Sequence, residues 1–476
     1  MLRSINYLLF FSSFVLSNPY NGLTFFNSTF EQSKSGTFLF DNNFTKINFW
    51  EHEEMVIGVP YLLSDGSIIC QFKNTNHYFN NAHGPVGGIF KKLSWKGDII
   101  WIYIFYDSNL NPHHDFTVMP NGNLLFISWE KKSMIEAQLK GRVNIFDELW
   151  SLAIFEINPI QNDSMNVVWE WHLWDHLVQD IDPGLDDFGI ISENPHRLNI
   201  NVGDHFSSDW LHTNSIDYHP TLDQIIFSSR NLNEIYIIDH STTTEEARHS
   251  TGGNSGKGGD ILFRWGNPNN YGRGQLTDRV LSSQHGVNWI KDNSPGSGQI
   301  LIFNNNPSDS IGPTGLYGNS SVIQIKPNID IAGNYVIQDN FPFIILEEKI
   351  ITGDDHSFFS NFQSGAYRLQ NGNTLISVTQ EKRIFEVDTI DSIVWGINLS
   401  DQINSVGYTA RAKKYNLNYL DSIIGDVYAD NKLNIYDVIR TSDIIFENQF
   451  LEKYDLNYDG LVTEDDINVL LNFIFN

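Results

Sequence analysis

Val118-Met119-Pro120-Asn121-Gly122-Asn123-Leu124-Leu125-Phe126 and Arg368-Leu369-Gln370-Asn371-Gly372-Asn373-Thr374-Leu375-Ile376 are two copies of one pattern. Each runs into Asn-Gly-Asn and continues in apolar and β-branched residues. Asn-Gly supplies the positive φ that a tight hairpin turn requires, and the flanking residues suit half-buried strands. Looser copies occur at Tyr61-Leu62-Leu63-Ser64-Asp65-Gly66-Ser67-Ile68-Ile69 and over residues 218–227. Downstream of each copy lies a strand-like run that often closes on tryptophan: 97–101, 167–169, 261–265 and 394–395. Turn, strand, strand and closing Trp make a small antiparallel sheet. Its recurrence every roughly 40–60 residues predicts an all-β chain, a β-propeller. Four units are plain, a fifth covers 298–346, and a sixth opens at Thr37-Phe38-Leu39-Phe40-Asp41 and reaches Trp50. Six blades over residues 18–415 account for them; a pair of β-sandwiches would not produce the Gly-then-Trp rhythm.

Composition narrows the function. Against 57 Asp and Glu the 476 residues set 30 Lys and Arg, a net charge of −27. That field repels phosphate backbones and anionic bilayers, so no nucleic-acid partner is expected. Aromatic residues reach 13%, enough for large cores, and the single Cys70 allows no internal disulfide. Residues 1–17 combine a basic start, a short apolar run and small residues before Asn18-Pro19, the pattern of a signal peptide. No later run approaches the length of a membrane span. An exported chain, periplasmic, cell-surface or secreted, is the expectation.

After Asn416 the texture changes. Residues 422–476 carry two related acidic segments, each leading into an apolar-patterned helix, predicted at 438–446 and 467–475. The first places Asp426, Asp430, Asn434 and Asp437, and the second Asp455, Asn457, Asp459, Thr463 and Asp466, at the oxygen-ligand positions of a 12-residue calcium loop. The first loop departs from the pattern with Tyr428 and Asn431 at its third and sixth positions. This duplicated layout resembles a type I dockerin, which implies bound calcium and a cohesin-like or cell-surface partner.

Histidine carries the chemistry that remains. His113-His114-Asp115, Asp209-Trp210-Leu211-His212-Thr213-Asn214-Ser215 and Ser283-Gln284-His285-Gly286 stand just ahead of three successive blades. The innermost strand of each blade lines the central channel, so these histidines should face one another. Three imidazoles could hold a catalytic zinc. Arg230, one hairpin beyond His212, would bring a fixed positive charge that suits an oxyanion better. His172 and His176, four apart and placed on one helix face with Asp175, lack the glutamate of a zinc-protease motif and read as packing residues.

Several of these stretches together resemble the arylsulfotransferase family. They are His114-Asp115-Phe116 with Pro120-Asn121-Gly122-Asn123, Trp169-Glu170-Trp171-His172 with Trp174-Asp175-His176-Leu177, residues 209–217 with Ser229-Arg230-Asn231, residues 258–268, Gln284-His285, and 369–376 running to Phe385-Glu386-Val387. The resemblance covers most of residues 20–400. It implies a six-bladed propeller that moves a sulfuryl group from a phenolic sulfate ester to a phenolic acceptor without a nucleotide donor. It further implies a transiently sulfated histidine at His285, with His114, His212, Arg230 and Asn214 holding the sulfuryl oxygens or moving protons, and no cofactor for catalysis. A non-catalytic cell-surface propeller that binds sulfated or phenolic ligands is the competing reading, and a metal-dependent sulfate-ester hydrolase a third.

Overall fold

The computed structural model describes residues 18–475 except 32–33, 80–81, 83, 106, 146, 161–163, 205–206, 307–318, 353–357, 408, 421–433, 447–453, 455 and 458–460. The expected signal peptide, and Asp426, Asp430, Asp455 and Asp459 of the calcium loops, lie outside the described residues.

Six four-stranded antiparallel sheets form the blades of a six-bladed β-propeller. Their innermost strands are Val56–Leu62, Leu110–Val118, Thr213–His219, His285–Trp289, Gly365–Arg368 and Ala412–Asn416. The last of these pairs antiparallel with Gly22–Phe26, so the segment Ala412–Asn416 completes the blade begun by Gly22–Phe30. The blade expected to open at Thr37 therefore starts fifteen residues earlier, and takes its innermost strand from beyond residue 411. This closure replaces a free edge with a hydrogen-bonded ladder. A buried ion pair, Lys414 Nζ to Glu386 Oε2 at 2.9 Å, ties the closing strand to the preceding blade.

The Asn-Gly-Asn copies show why the pattern repeats. Gly122 and Gly372 adopt φ of +84° and +94°, while Asn121 and Asn371 do not. The amide of Gly122 donates to Met119 O at 2.9 Å and that of Met119 to Asn123 O at 2.9 Å, with the same pair of bonds at Leu369. Only the glycine needs the left-handed region, as in a three-residue loop with a bulge rather than the two-residue turn the dipeptide suggests. The second asparagine has its own task. Asn123 Nδ2 donates to Glu156 and Asn373 Nδ2 to Glu386, at 2.5 and 2.6 Å, each reaching the third strand of its sheet.

Apolar side chains fill the spaces between blades in separate clusters. The largest gathers Ile127, Trp171, Trp210, Phe227 and Tyr236 among others. Cys70 is buried among Phe25, Trp50 and Phe72, an apolar filler. His172 and His176 do not share a helix: one ends the strand Ser164–His172 and the other follows a single 3-10 turn. His176 is fully buried, bonded to Asp260 Oδ1 and Ala247 O at 2.8 Å each, and stacked on Trp171. A packing role is what that geometry provides.

The tail's described residues form helices Ile435–Phe446 and Glu464–Phe475, both beginning three residues before the predicted starts. Capping explains the difference. Asn434 Oδ1 accepts from Tyr436 N at 2.8 Å, and Asp437 Oδ2 accepts from Asn434 N at 2.8 Å. Thr463 Oγ1 accepts from Asp465 N at 3.3 Å while Asp466 Oδ2 accepts from Thr463 N at 2.7 Å. Positions 9 and 12 of the expected calcium loops thus coincide with the two ends of a capping box, which serves helix N–H groups that have no intrahelical partner. No helix of the described residues is long and apolar enough to cross a membrane.

Candidate active site in the central channel

The channel histidines owe their aim to irregularities in the innermost strands. Pairing shifts between Pro112 and Phe116, between Thr213 and Ser215, and between His285 and Asn288. Such bulges turn a side chain out of the alternation it would otherwise follow. His114 and His212 sit in the left-handed region, at φ of +52° and +48°, and Ser283 beside His285 at +53°. For residues with a Cβ that conformation costs of order 1–3 kcal/mol and persists where the surroundings impose it. His114 lies within its innermost strand, not ahead of the blade as its place in the sequence suggested.

The three histidines and Arg230 come together at one end of the channel. His114 Nε2 is 3.2 Å from His212 Nε2, and the charges of His285 and Arg230 act on His114 as well. A chain of contacts runs outward from this pair. His212 Nδ1 meets Asp209 Oδ2 at 2.5 Å, whose other oxygen accepts from Trp129 Nε1 at 2.9 Å. His114 Nδ1 meets His113 Nδ1 at 2.7 Å, and His113 stacks on Trp129 with centroids 4.2 Å apart. The carboxylate decides the protons. Asp209 accepts from His212 Nδ1–H, His212 Nε2 then accepts from His114 Nε2–H, and His114 Nδ1 accepts from His113 Nδ1–H. This leaves the bare His113 Nε2 as the buried nitrogen that has no partner. The reverse assignment would bury an orphan N–H there, at higher cost. Burial alone would raise the Asp209 carboxyl. The hydrogen bonds from His212 Nδ1–H and Trp129 Nε1–H together hold it below the usual carboxylate range.

His285 is arranged to present one nitrogen. Its Nδ1 faces two acceptors, Asn305 Oδ1 at 2.8 Å and Ser283 O at 2.9 Å. The Asn305 amide donates to Ser360 O at 2.8 Å and Gln363 O at 3.1 Å, which fixes its oxygen toward the imidazole. The proton therefore stays on Nδ1, and Nε2 carries the lone pair. Burial pushes the His285 pKa down to about 3, with the Arg230 charge in the same direction and the Asn305 hydrogen bond opposing. The ring is neutral across the physiological range.

Asn214 is buried and donates to Gln284 O at 2.7 Å, which pins the backbone next to His285. One amide hydrogen of Asn214 is thereby used, and the other is what it can offer a ligand. Arg230 is half-buried, in the turn after Gln224–Ser229. Three partners escaped the sequence reading. Asp209 and His113 lay inside quoted motifs, and Asn305 lay in the run Asn304-Asn305-Asn306. Gly84 is a fourth: a Cβ there would stand 2.7 Å from His114 Cε1 and 3.2 Å from His212 Cε1, so the backbone closes directly over both rings. Among the described residues no group of three or more His, Cys, Asp or Glu side chains is placed to hold a metal ion.

The neutral histidines predict an acid-sensitive fold. Burial takes His113 to about 3 and His52 to about 4, alongside His285 at about 3. Each binds a proton more readily unfolded, near 6.5, so its contribution is complete above that value and lost as pH falls towards 3–4, at up to about 1.4 kcal/mol per pH unit. His172 and His240, raised despite burial by Glu130 and by Glu156 with Asp223, oppose this in part. The melting temperature should drop between pH 7 and pH 5, before most carboxylates titrate. A flat calorimetric profile over that interval would contradict the assignment.

The arylsulfotransferase (ASST) family model matches residues 15–325, more than half of the chain and all five channel residues named above. No curated protein matches the sequence significantly. Among solved structures the chain is similar to a protein of unknown function from Bacteroides caccae, at 10% identity over 83% of this chain and 98% of that one, with a TM-score of 0.43. It is also similar to a putative 6-phosphogluconolactonase from Bacteroides fragilis, at 9% identity, 83% and 98% coverage and a TM-score of 0.39. The periplasmic gluconolactonase of Pseudomonas aeruginosa gives 10%, 83%, 98% and 0.36. None of these three likenesses bears on the chemistry of the channel.

Proposed function

This chain belongs to the arylsulfotransferase (ASST) family, and on that premise we propose that it transfers a sulfuryl group from a phenolic sulfate ester to a phenolic acceptor, without a nucleotide donor, through a sulfohistidine at His285. The observation that carries the reading is the His285 imidazole, held neutral with its proton committed to Asn305 and Ser283. In the first half-reaction Nε2 attacks sulfur in line with the leaving phenolate. The S–N bond forms as the S–O bond to the arene breaks, and the phenolate takes a proton. In the second, an acceptor phenol gives up its proton, its oxygen attacks the same sulfur, and the S–N bond breaks. Splitting one displacement into two is the gain of nucleophilic catalysis.

Charge develops on the sulfuryl oxygens and on the leaving oxygen, so fixed donors supply much of the acceleration. Arg230 and the remaining Asn214 N–H take the sulfuryl oxygens in this scheme. The pair His212 and His114, whose Nε2 atoms lie 3.2 Å apart and which Asp209 orients through His212 Nδ1, is placed to relay protons between solvent and the phenolic oxygens. A phenol with pKa near 10 leaves more readily with such a donor beside it. The test is continuous release of nitrophenol from 4-nitrophenyl sulfate only when phenol is supplied, by protein free of nucleotide, together with a single equivalent of nitrophenol and a mass gain of one sulfuryl group when phenol is withheld.

The tail is proposed as a dockerin-like calcium module on an exported protein, with a cohesin-like or cell-surface partner. Asn434, Asp437, Thr463 and Asp466 at the loop–helix junctions, with Asn457 earlier in the second loop, are oxygen donors, the chemistry a hard cation takes. Calcium would fold the loops; no step of transfer passes through it. Chelation of the full-length protein should expose residues 421–476 to protease and leave phenolic transfer intact, since ion binding stabilises only the segment that holds the ion. Equal cleavage of the tail with and without calcium would refute the module.

A further inference from the structure

The other end of the same channel holds a cavity of about 490 Å³ that none of the four proposed catalytic side chains lines. It is built from the C-terminal halves of the innermost strands, whereas the histidines stand nearer their starts. Its size is that of a site for one small organic molecule. Its charge runs against the rest of the protein. In a chain of net charge −27 with only 30 basic residues, five of them, Lys291, Arg368, Arg411, Lys413 and Lys414, line this one space.

Four of the five are already engaged. Arg411 pairs with Asp115 at 2.7 Å, Lys291 with Asp217 at 2.7 Å, and Lys414 with Glu386 at 2.9 Å. Arg368 donates to Gly372 O at 2.9 Å and Gln324 Oε1 at 2.5 Å. Lys413 differs. Among the described residues its ammonium has neither an ion pair nor a hydrogen-bond acceptor, and lies 2.9 Å from the ring centroid of Tyr61 and 5.9 Å from that of Tyr367. Burial holds it well below the ordinary lysine range, opposed by Asp115 and Asp217, which are already paired with Arg411 and Lys291, and reinforced by those two cations. Tyr61, Tyr218 and Tyr367 are three of the tyrosines that line the same cavity and supply it with aromatic surface.

We propose that this end of the channel is a second ligand site, separate from the histidines, that binds an aromatic molecule carrying one negative charge, its anion on Lys413 and its ring among the three tyrosines. An anion there completes the ion pair that Lys413 lacks, and tyrosine faces favour an arene over an aliphatic acid. The inference stands without the transfer reaction. Asp115 borders the cavity and adjoins His114 in the chain, so occupancy would be felt at the histidine end through that strand.

The test is calorimetric titration of the full-length protein with naphthalene-2-sulfonate, whose C–S bond leaves no sulfuryl group to transfer. Wild type and Lys413→Arg should bind it. Lys413→Gln should bind about 10–100-fold more weakly, the worth of one hydrogen bond to a charged group, while Arg230→Gln binds like wild type. If Lys413→Gln melts below wild type, Tyr367→Leu replaces it with the same expected loss. No heat from wild type at millimolar ligand, or affinity lost in Arg230→Gln, would overturn the proposal; the second outcome would put the ligand among the histidines instead.

Discussion

Alanine at His285 is expected to abolish phenolic transfer, by about 10⁴-fold or more, and with it the sulfuryl adduct seen by intact mass when acceptor is withheld. The side chain that Nε2 belongs to is the only part of the scheme that bonds to sulfur, so nothing else can carry the group between the two half-reactions. The fold should tolerate the change: the imidazole makes two hydrogen bonds, to Asn305 and Ser283, and Asn305 keeps its bonds to Ser360 and Gln363. Melting within a few degrees of wild type would separate lost chemistry from lost structure. Transfer that survives in the alanine variant would remove His285 as the nucleophile and leave the reaction to be assigned to another group. An adduct that persists would make the same point directly.

Asn305 supplies a finer check on the same residue. Its oxygen is what keeps the His285 proton on Nδ1, so Asn305→Ala acts on Nε2 without touching substrate. This makes Asn305 a positioning residue, legible by a slowed sulfation step with donor affinity preserved.

Asparagine at Asp209 is expected to cost about 10²–10⁴-fold in kcat while the donor KM changes little. The carboxylate, held ionised in a buried setting, orients His212 through Nδ1–H and supplies the negative charge that balances a proton passing through that ring. An amide is nearly the same shape and can still accept a hydrogen bond, but it offers no charge to an imidazolium. The loss should be greatest with poor leaving groups, which depend on a proton, and least with 4-nitrophenyl sulfate, whose phenolate leaves unaided. A uniform loss across leaving groups would mean that Asp209 acts only on structure. Trp129 would then be the residue to examine, since its N–H shares the same carboxylate and its ring carries His113.

Both predictions rest on partners whose meaning was not visible in the linear chain. The repeat was legible because hairpin chemistry is local: a glycine that must take positive φ, an asparagine reaching two residues on, and alternating apolar positions all act within about ten residues. The blade count followed from the same signals. Closure did not, because Ala412–Asn416 meets Gly22–Phe26 across almost the whole length of the chain, and a short strand such as Ala412-Lys413-Lys414-Tyr415-Asn416 carries no mark of its partner. Capping and calcium binding ask for the same residues at Asn434, Asp437, Thr463 and Asp466, which is why a calcium-loop spacing places the helix starts three residues late.

By itself the sequence determined the β-propeller, its six units, the strong negative charge and the set of histidines at blade starts, since each depends on residue type and short spacing alone. Only the tertiary structure decided which nitrogen of each ring carries the proton, that Asp209 and Asn305 control them, that the backbone at Gly84 closes over the pair, and that five cations gather at the far end of the channel. Those properties come from side chains of different blades meeting around one axis. A proton's place or a missing counter-ion is settled by distances of a few ångströms between residues tens or hundreds of positions apart, and one-dimensional spacing does not carry that information.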